Sequence, residues 1–497
     1  MKLNKAKKNV GSSWQLSAMM IITVLTQLVA VYKSSLIAAN FGAGVELDAY
    51  HFANNLATFF LTFISSGVTT VVIPAYVKKL DRKAIDTFLT VIFMVTGLLV
   101  LFTFGFRGTL VDVLTNREFI FKDYVCNVML VTIWIQFLPA ILGVTTAYYQ
   151  CIGHFTLPKV ILLVSNVTTV IILLFLDEFT LYQYLNVLLF GAVVQFVVDL
   201  ICALHYGFRF KISFDIKNPV YKELMSIFIP TLFSSGLYKV NTMIDSLLSS
   251  NLGAGQLTIL SYSNTIVGMV NTLIIGNLIV YVYPKIVEAV SKGNQDGQII
   301  LWKYAVTFHM AVCLVVVGFV SVGREFIGIL YEHGEFTERA ADSVYLCMCI
   351  YMFAQQSNIV RDIIYRYFFA VGDTKSTVKN GFMTSCINII LSIILVRYVG
   401  VYGIILGTFI AGLCSLIVII FRFKRSFGFV MDVKIVIKHF LKTEVIVLLA
   451  ILIVIIFKNV MAIESQILGF IIYGIISVIV FGIGIYIIHR KSDFVKK

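Results

Sequence analysis

The 497-residue chain is 59% apolar and 13% charged, and its formal net charge is +13. A soluble domain carries about 25% charged residues and cannot cover so much apolar surface, so this composition and a mean hydropathy of +0.94 exclude a water-soluble enzyme. An outer-membrane barrel is excluded because its strands alternate apolar and polar residues, whereas here the apolar runs are continuous, as at 161–176 and 445–457. The composition predicts an all-α polytopic membrane protein.

Charged or glycine-containing breaks divide the apolar runs into membrane spans. Because a helix needs about 20 residues to cross a bilayer, the apolar residues suffice for about fourteen crossings. The predicted spans are 14–39, 47–76, 84–106, 124–151, 157–176, 180–206, 222–249, 256–283, 301–322, 341–370, 378–397, 400–421, 436–457 and 466–488.

The basic residues test this segmentation, because Lys and Arg concentrate in cytoplasmic loops. Of the 39 Lys and Arg residues, 28 fall on the side of the N-terminus, seven on the other side and four inside spans. With an even number of spans, this asymmetry predicts that both termini are cytoplasmic. The cluster of Lys2, Lys5, Lys7 and Lys8 precedes an apolar run longer than the core of a signal peptide, so we expect a retained first span.

The chain contains an internal repeat. The motif NFGAG at 40–44 returns as NLGAG at 251–255, an offset of 211 residues, and Pro74 and Pro284 are each predicted to close the helix that follows a copy. The offset covers six helices, so the two halves share one topology and are parallel repeats. Such repeats are expected to enclose a central cleft and to open it to each side of the membrane in turn by rocking. A rigid duplicated scaffold is the alternative. The predicted organisation is a cytoplasmic N-terminus (1–13), an N-lobe (14–208), a linker (209–221), a C-lobe (222–425), a helix pair (426–488) and a cytoplasmic tail (489–497).

Polar side chains recur at helical spacing on the two leading helices of each repeat. Lipid does not accommodate such faces, so they predict a substrate cleft, with interhelical hydrogen bonding as the alternative. The polar positions are Thr26 and Lys33 in the first span; Asp48, His51, Asn55, Thr58, Thr62 and Ser65 in the second; Tyr238, Asn241, Asp245 and Ser249 in the seventh; and Asn264 and Asn271 in the eighth.

Four cations lie inside predicted spans, where a charge costs about 2.5 to 3.5 kcal/mol at mid-helix. Arg361 and Arg366 share the tenth span with Asp362, and an ion pair between Asp362 and Arg366, four residues apart, competes with a role in binding. Lys33 and Lys239 have no acidic residue four positions away. They are therefore predicted to bind an anionic group such as a phosphate or pyrophosphate.

Motifs for catalysis and cofactor binding are missing. The sequence has no GxxxxGK[ST], no GxGxxG with a following acidic residue and no Asp-x-Asp, so we expect a transporter rather than an enzyme, without ATP or another cofactor. The positive charge lies in short loops, so nucleic acid is not an expected partner. The eight cysteines show no CxxC pair and no histidine at ligand spacing, so they are interpreted as small apolar side chains. His309 is interpreted as a packed histidine. No metal site is predicted.

Three motifs resemble those of one known family. They are NFGAG at 40–44 with Asp48 opening the second span, LYEHGEFT at 330–337 and GDTKSTVK at 372–379. By these motifs the chain resembles the MurJ (MviN) lipid II flippases of the MOP (multidrug/oligosaccharidyl-lipid/polysaccharide) transporter superfamily. The resemblance implies a fourteen-helix flippase of the bacterial cytoplasmic membrane that moves an undecaprenyl-pyrophosphate-linked glycan, with a groove for the lipid tail on the last two helices. It also implies drive by the membrane potential or a Na⁺ or H⁺ gradient, with Asp245 as the cation-coupling candidate, and partners in the cell-wall synthesis machinery.

The charged positions depart from the family's pattern. Members usually carry arginines on the cavity faces of the first, second and eighth helices, where this chain has Gln27 and Lys33, Leu61 and Thr62, and Thr265. A charged hydrogen bond contributes about 1.5 to 3 kcal/mol, so the departure implies weaker pyrophosphate binding. Lipid II or a related cell-wall precursor is the predicted substrate; a capsule or exopolysaccharide repeat unit on the same carrier, or a small molecule exported as by a MATE protein, are the alternatives. The predicted binding residues are Lys33, Lys239, Gln27, Asp48, Asn55, Asn241, Asn264, Arg361 and Arg366.

Overall fold

The computed structural model of the protein describes residues 13–176, 178–430 and 433–489. The predicted basic cluster at 2–8 and residues 490–497 of the predicted tail lie outside this part of the chain. Within it every regular element is a helix. The chain forms two compact units, Met1–Thr258 and Ile259–Lys497. The first unit includes the seventh predicted span as well as the predicted N-lobe, and the lobe boundaries stay a prediction.

The helices of the first unit are α1 (Ser13–Phe41), α2 (Val45–Val77), α3 (Arg82–Gly105), α4 (Arg107–Leu114), α5 (Phe119–Cys151), α6 (Leu157–Leu174), α7 (Leu181–His205) and α8 (Pro219–Ser250). After the unit boundary, which falls in the first turn of α9, the helices are α9 (Gln256–Val270), a π-helical turn (Asn271–Ile275), α10 (Gly276–Lys292), α11 (Asn294–Tyr331), α12 (Glu338–Ala370), α13 (Thr374–Val399), α14 (Val401–Phe427), α15 (Val433–Met461) and α16 (Gln466–His489).

Each predicted span coincides with a helix, and the eighth coincides with α9, the π turn and the start of α10. By length and composition, 11 of the helices can cross a membrane. The all-α polytopic membrane fold is therefore confirmed, whereas the count of fourteen crossings stays a prediction.

Several segments expected to be loops are helical. Most of the predicted external segment at 323–340 belongs to α11, which is 38 residues long, and to the first turn of α12. The expectation that Pro74 and Pro284 close their helices was wrong, because α2 continues past Pro74 to Val77 and α10 continues past Pro284 to Lys292. A membrane boundary does not itself end a helix, since a helix keeps its internal backbone hydrogen bonds in water. Here the helix ends at Gly293, whose φ of 150° favours glycine.

The first unit is organised around α2, which packs against α3, α5 and α8. Helix α1 packs on α6, while α5 and α6 both pack on α7. Phe88 of α3 meets Phe228 of α8 edge to face, with ring centroids 5.3 Å apart, a geometry that aromatic pairs prefer. Among the described side chains of α2, Asp48 is buried and His51, Asn55 and Thr58 are half-buried within the unit.

The second unit is organised around α11, which packs against α10, α12, α15 and α16. Helices α13 and α14 approach closely at glycines: a Cβ at Gly403 would lie 2.4 Å from the carbonyl carbon of Leu395. Small residues at such interfaces let helix backbones approach in a membrane. The final pair, α15 and α16, is seated on α11, and Lys458 of α15 contacts both carboxylate oxygens of Glu325 at 2.8 and 2.9 Å.

Two of the family-like motifs form helix N-caps. The Thr337 hydroxyl accepts a hydrogen bond from the Ala340 amide, and the Asp373 carboxylate accepts one from the Ser376 amide at 3.0 Å and one from its hydroxyl at 2.6 Å. Caps of this kind satisfy N–H groups that the first turn leaves without a partner. Arg422 of α14 donates to the Ser376 carbonyl at 3.0 Å. These motif residues therefore stabilise the connections on either side of α12.

Candidate substrate-binding site

The two copies of the repeated motif use their asparagines in the same way. Asn40 donates to the Phe179 carbonyl at 2.6 Å and accepts from the Phe179 amide at 3.3 Å. The side-chain oxygen of Asn251 accepts from the Thr115 hydroxyl at 3.1 Å and from the Asn116 amide at 3.2 Å. Each asparagine thus binds a connection between helices: Asn40 binds the residue before the N-cap of α7, and Asn251 binds the segment before α5. This shared role explains why an asparagine opens both copies.

The glycines let the two copies touch. Gly255, with φ of 81°, lies so close to the first copy that a Cβ would stand 2.5 Å from the Ala43 carbonyl oxygen. Gly42 and Gly253 also have positive φ, at 59° and 124°. These conformations and this approach require residues without a side chain.

Asp48 joins the first motif to the start of α9. Its carboxylate is fully buried and has four donors. One oxygen accepts from the Thr258 amide at 2.9 Å and the Thr258 hydroxyl at 2.8 Å, and the other accepts from the Gly255 amide at 2.8 Å and lies 3.1 Å from Arg117. Because a buried carboxylate needs such compensation, Asp48 acts as a structural clasp here. The predicted contact of Asp48 with substrate stays a prediction.

The polar stripe of α2 meets the stripe of α8. Asn55 donates to the Ser246 hydroxyl at 2.8 Å, and Asn241 and Asp245 lie half-buried on the same helix. The amide oxygen of Asn241 is buried, and no side chain in the described ranges donates to it. The structure therefore brings two of the predicted stripes together, at Asn55 through the interhelical hydrogen bond that was the alternative to a substrate contact, and the cleft stays a prediction. The side chains of Thr62, Ser65 and Tyr238 lie outside the described part.

Two of the predicted cations keep uncompensated charge. Lys33 of α1 is half-buried and donates to the side-chain oxygen of Asn166 of α6 at 3.2 Å, a neutral partner. Lys239 of α8 is half-buried as well, and among the residues described none pairs with its ammonium. Gln27, two turns before Lys33, is also half-buried. Ammonium groups without a carboxylate partner attract an anion, as the stripes predict.

The tenth predicted span differs from expectation. The proposed pair of Asp362 with Arg366 was wrong: Asp362 pairs with the adjacent Arg361, whose guanidinium lies 2.9 and 3.0 Å from one carboxylate oxygen. Arg366 instead lies over the rings of Tyr283 and Phe369, 5.8 and 5.5 Å from their centroids. The side chain of an arginine is long enough to reach back to a neighbouring residue, so helical spacing alone did not decide the pairing. The charge of Arg361 is compensated and that of Arg366 is shared with aromatic rings.

Two features near the predicted eighth span were not foreseen. Asn264 is exposed, and Asn271 begins a π-helical turn that ends at Ile275. The helix is regular from Asn264 to Val270, so Asn264 and Asn271 keep the face that helical spacing predicts, and the π turn shifts only the residues that follow it. Such turns are frequent at functional sites.

Sequence reasoning missed a cluster in the second unit. The expectation that no histidine lies at ligand spacing from a cysteine was wrong, because His309 and Cys313 are four residues apart on α11. Their side chains lie 3.7 Å apart, and the Glu444 carboxylate of α15 lies 2.9 Å from the imidazole. The i, i+4 spacing was the available signal; Glu444 could not be found from it because it is distant in sequence.

The fold belongs to a known class of membrane transporters. The chain is similar to a solved structure titled "Lipid II flippase MurJ, inward closed conformation", with a TM-score of 0.80, 20% identity and coverage of 95% of this chain and 98% of that chain. It is also similar to an inward-facing multidrug resistance MATE family transporter of the MOP superfamily, with a TM-score of 0.64, 12% identity and coverage of 82% and 98%. These likenesses show that the chain shares the polytopic helical fold of these transporters.

The family follows from the sequence comparison. A family model described as "Lipid II flippase MurJ" matches residues 37–476. The chain belongs to the MurJ family, which confirms the resemblance seen in its motifs. A relative named "Probable lipid II flippase MurJ" from Rickettsia prowazekii (strain Madrid E) is 22% identical over 404 residues, 78% of this chain and 79% of the relative. One of the same name from Synechocystis sp. (strain ATCC 27184 / PCC 6803 / Kazusa) is 22% identical over 435 residues, 82% and 80%.

Proposed function

We propose that this protein is a transporter that moves lipid II, an undecaprenyl-pyrophosphate-linked cell-wall precursor, from the inner to the outer leaflet of the cytoplasmic membrane by alternating access. Membership of the MurJ family over residues 37–476 carries the proposal. The polar faces of α1, α2 and α8 support it, because Lys33 and Lys239 offer uncompensated positive charge suited to a pyrophosphate. In this role the protein transports and does not catalyse a covalent reaction.

The proposed orientation has both termini in the cytoplasm. The excess of basic residues on the N-terminal side, 28 against seven, supports this arrangement. We propose a Na⁺ or H⁺ gradient or the membrane potential as the drive, with Asp245 of α8 as the coupling carboxylate. The cell-wall synthesis machinery would be the partner that consumes the translocated substrate.

Complementation in cells depleted of their own lipid II flippase tests the substrate. The chain is expressed in these cells, and survival is scored together with the exposure of lipid II on the outer leaflet. We expect rescue with restored exposure. Absence of both, with the protein shown to be in the membrane, would contradict lipid II as substrate.

The anion site is tested in the same cells by charge. Lys33→Ala and Lys239→Ala each remove one ammonium and are expected to abolish rescue while leaving the amount of protein in the membrane unchanged. Loss of a charged hydrogen bond worth about 1.5 to 3 kcal/mol weakens binding about 10- to 100-fold. Lys33→Arg should retain activity because it keeps the charge. Lys217→Ala, at an exposed position of the linker, is the control for removing a lysine. Full activity of both alanine variants would remove the anion site from the proposal.

A second candidate substrate is a capsule or exopolysaccharide repeat unit on the same carrier lipid. The observation that favours it is the missing arginines: Gln27 is half-buried, Leu61 is buried and Thr265 is exposed where family members usually carry guanidinium groups. If lipid II exposure is not restored, the export of these polysaccharides in a flippase-deficient strain is the measurement that supports or excludes it.

A further inference from the structure

We propose that the second unit holds a zinc site formed by His309 and Cys313 of α11 and Glu444 of α15. The three side chains come from two helices that are distant in sequence and packed together. Their ligand atoms all lie within 4.8 Å of one another. This inference does not depend on the transported substrate.

The distances match the size of a zinc ion. Nε2 of His309 lies 2.9 Å from an oxygen of Glu444 and 3.7 Å from the sulfur of Cys313, and the sulfur lies 4.0 Å from the same oxygen. The point equidistant from these three atoms is about 2.1 Å from each, and zinc takes nitrogen and oxygen ligands at about 2.0 to 2.2 Å and sulfur at about 2.3 Å. The sulfur lies 3.7 Å from Nδ1 as well and faces the ring, so the imidazole must turn about its Cβ–Cγ bond to bind a zinc ion through Nε2.

The ligand types fit the same metal. Imidazole, thiolate and carboxylate together suit zinc, which accepts nitrogen, sulfur and oxygen donors in one site. When the thiol of Cys313 loses its proton to solvent and the imidazole binds through its neutral Nε2, the thiolate and the Glu444 carboxylate carry two negative charges. These balance the divalent ion, so the occupied site has no net charge to bury.

Cys313 belongs to an apolar cluster with Val317 and Val447, but one polar group reaches its sulfur. It is fully buried, yet the Gln356 amide of α12 lies 3.4 Å from its sulfur and donates to it. A donor to the sulfur stabilises a thiolate and orients a metal ligand. His309 is 4% exposed, whereas the Glu444 side chain is 36% exposed.

The site has a structural consequence, because its ligands join α11 to the final helix pair. A bound ion would attach α15 to α11 more firmly than the hydrogen bond between His309 and Glu444 alone. Binding by the folded chain should raise the midpoint of thermal unfolding, as for any ligand selective for the native state.

Metal binding by the purified full-length chain tests the proposal. The protein, carrying an affinity tag without histidines, is stripped with a chelator in detergent or nanodiscs and titrated with Zn²⁺ and, separately, Co²⁺. We expect one equivalent of either ion and, with Co²⁺, the near-ultraviolet absorption of a sulfur–cobalt bond. His309→Gln and Glu444→Gln should weaken binding by about 100-fold or more, and Gln356→Leu by about 10- to 100-fold.

Cys313→Ser should abolish the sulfur–cobalt absorption, while Cys347→Ser, at an equally buried cysteine of α12, should retain it. Because the Glu444 side chain is partly exposed, Glu444→Gln still tests the site if Cys313→Ser fails to fold. The proposal is overturned if the unaltered chain binds no zinc, or if Cys313→Ser and Glu444→Gln bind it as tightly as the unaltered chain. The transport proposal is measured in cells without reference to metal and is unaffected by that result.

Discussion

Replacing Asp48 with asparagine should destabilise the first unit more than the loss of any exposed ion pair would. In Asp48→Asn one oxygen still accepts from the Thr258 amide and hydroxyl, but the new NH₂ group would face two donors, the Gly255 amide and Arg117. Two charge-assisted contacts are lost and a buried donor loses its acceptor. Breaking one side of a buried pair costs about 3 to 5 kcal/mol, which is the decrease expected in the free energy of unfolding.

The measurement is unfolding of the purified chain in mixed micelles with an increasing fraction of sodium dodecyl sulfate. Asp112→Asn is the matched control, because Asp112 pairs with Lys122 at 3.1 Å but is 67% exposed, and such pairs contribute about 0 to 1 kcal/mol. Arg117→Met combined with Asp48→Asn should cost less than the two single substitutions added together, since they share one interaction. If Asp48→Asn unfolds at the same detergent fraction as Asp112→Asn, the clasp does not stabilise the unit.

Gly255→Ala should destabilise the chain by more than the roughly 1 to 3 kcal/mol of a strained backbone, because its Cβ would meet a carbonyl oxygen at 2.5 Å. Gly153→Ala is the control that measures backbone strain alone, since Gly153 has a similar φ of 86° and open space around it. Equal losses of stability in the two variants would refute the close approach. Hydrogen bonds from Ser376 lower the pKa of Asp373 in the folded chain. The cap of α13 is therefore complete above the pKa of an unfolded aspartate, about 3.9, and is lost as pH falls through the lower pKa of the folded state. Amide exchange in the first turn of α13, corrected for intrinsic rates, should show this loss in the unaltered chain and not in Asp373→Asn.

Hydropathy predicted the helices well because a lipid-facing segment must be both long and apolar. It could not predict where they end in water. There, a local cap or a glycine decides, as Asp373 does at α13 and Gly293 does between α10 and α11. The π turn at 271–275 was not predicted either, because hydropathy does not distinguish a π turn from an α-helical turn.

The sequence predicted which faces of two helices are polar, while their role in binding stays a prediction. The stripes of α2 and α8 were found because polar residues in a membrane helix must face protein or water, and Asn55 does contact α8. The pairing of Asp362 with Arg361 was missed because adjacent residues on a helix diverge at Cβ, and only the flexible arginine side chain brings the charges together. The contacts of Asp48 with Thr258 join positions 210 residues apart, a distance that no local pattern can reveal.

Helix α15 is attached to α11 at two heights, through Glu444 with His309 and through Lys458 with Glu325. At 1.5 Å per residue the two attachments are about 21 to 24 Å apart along the helices. Two contacts this far apart prevent α15 from pivoting on α11, so the two helices must translate and rotate together. Helices α11 and α15 therefore form one mechanical element of the second unit.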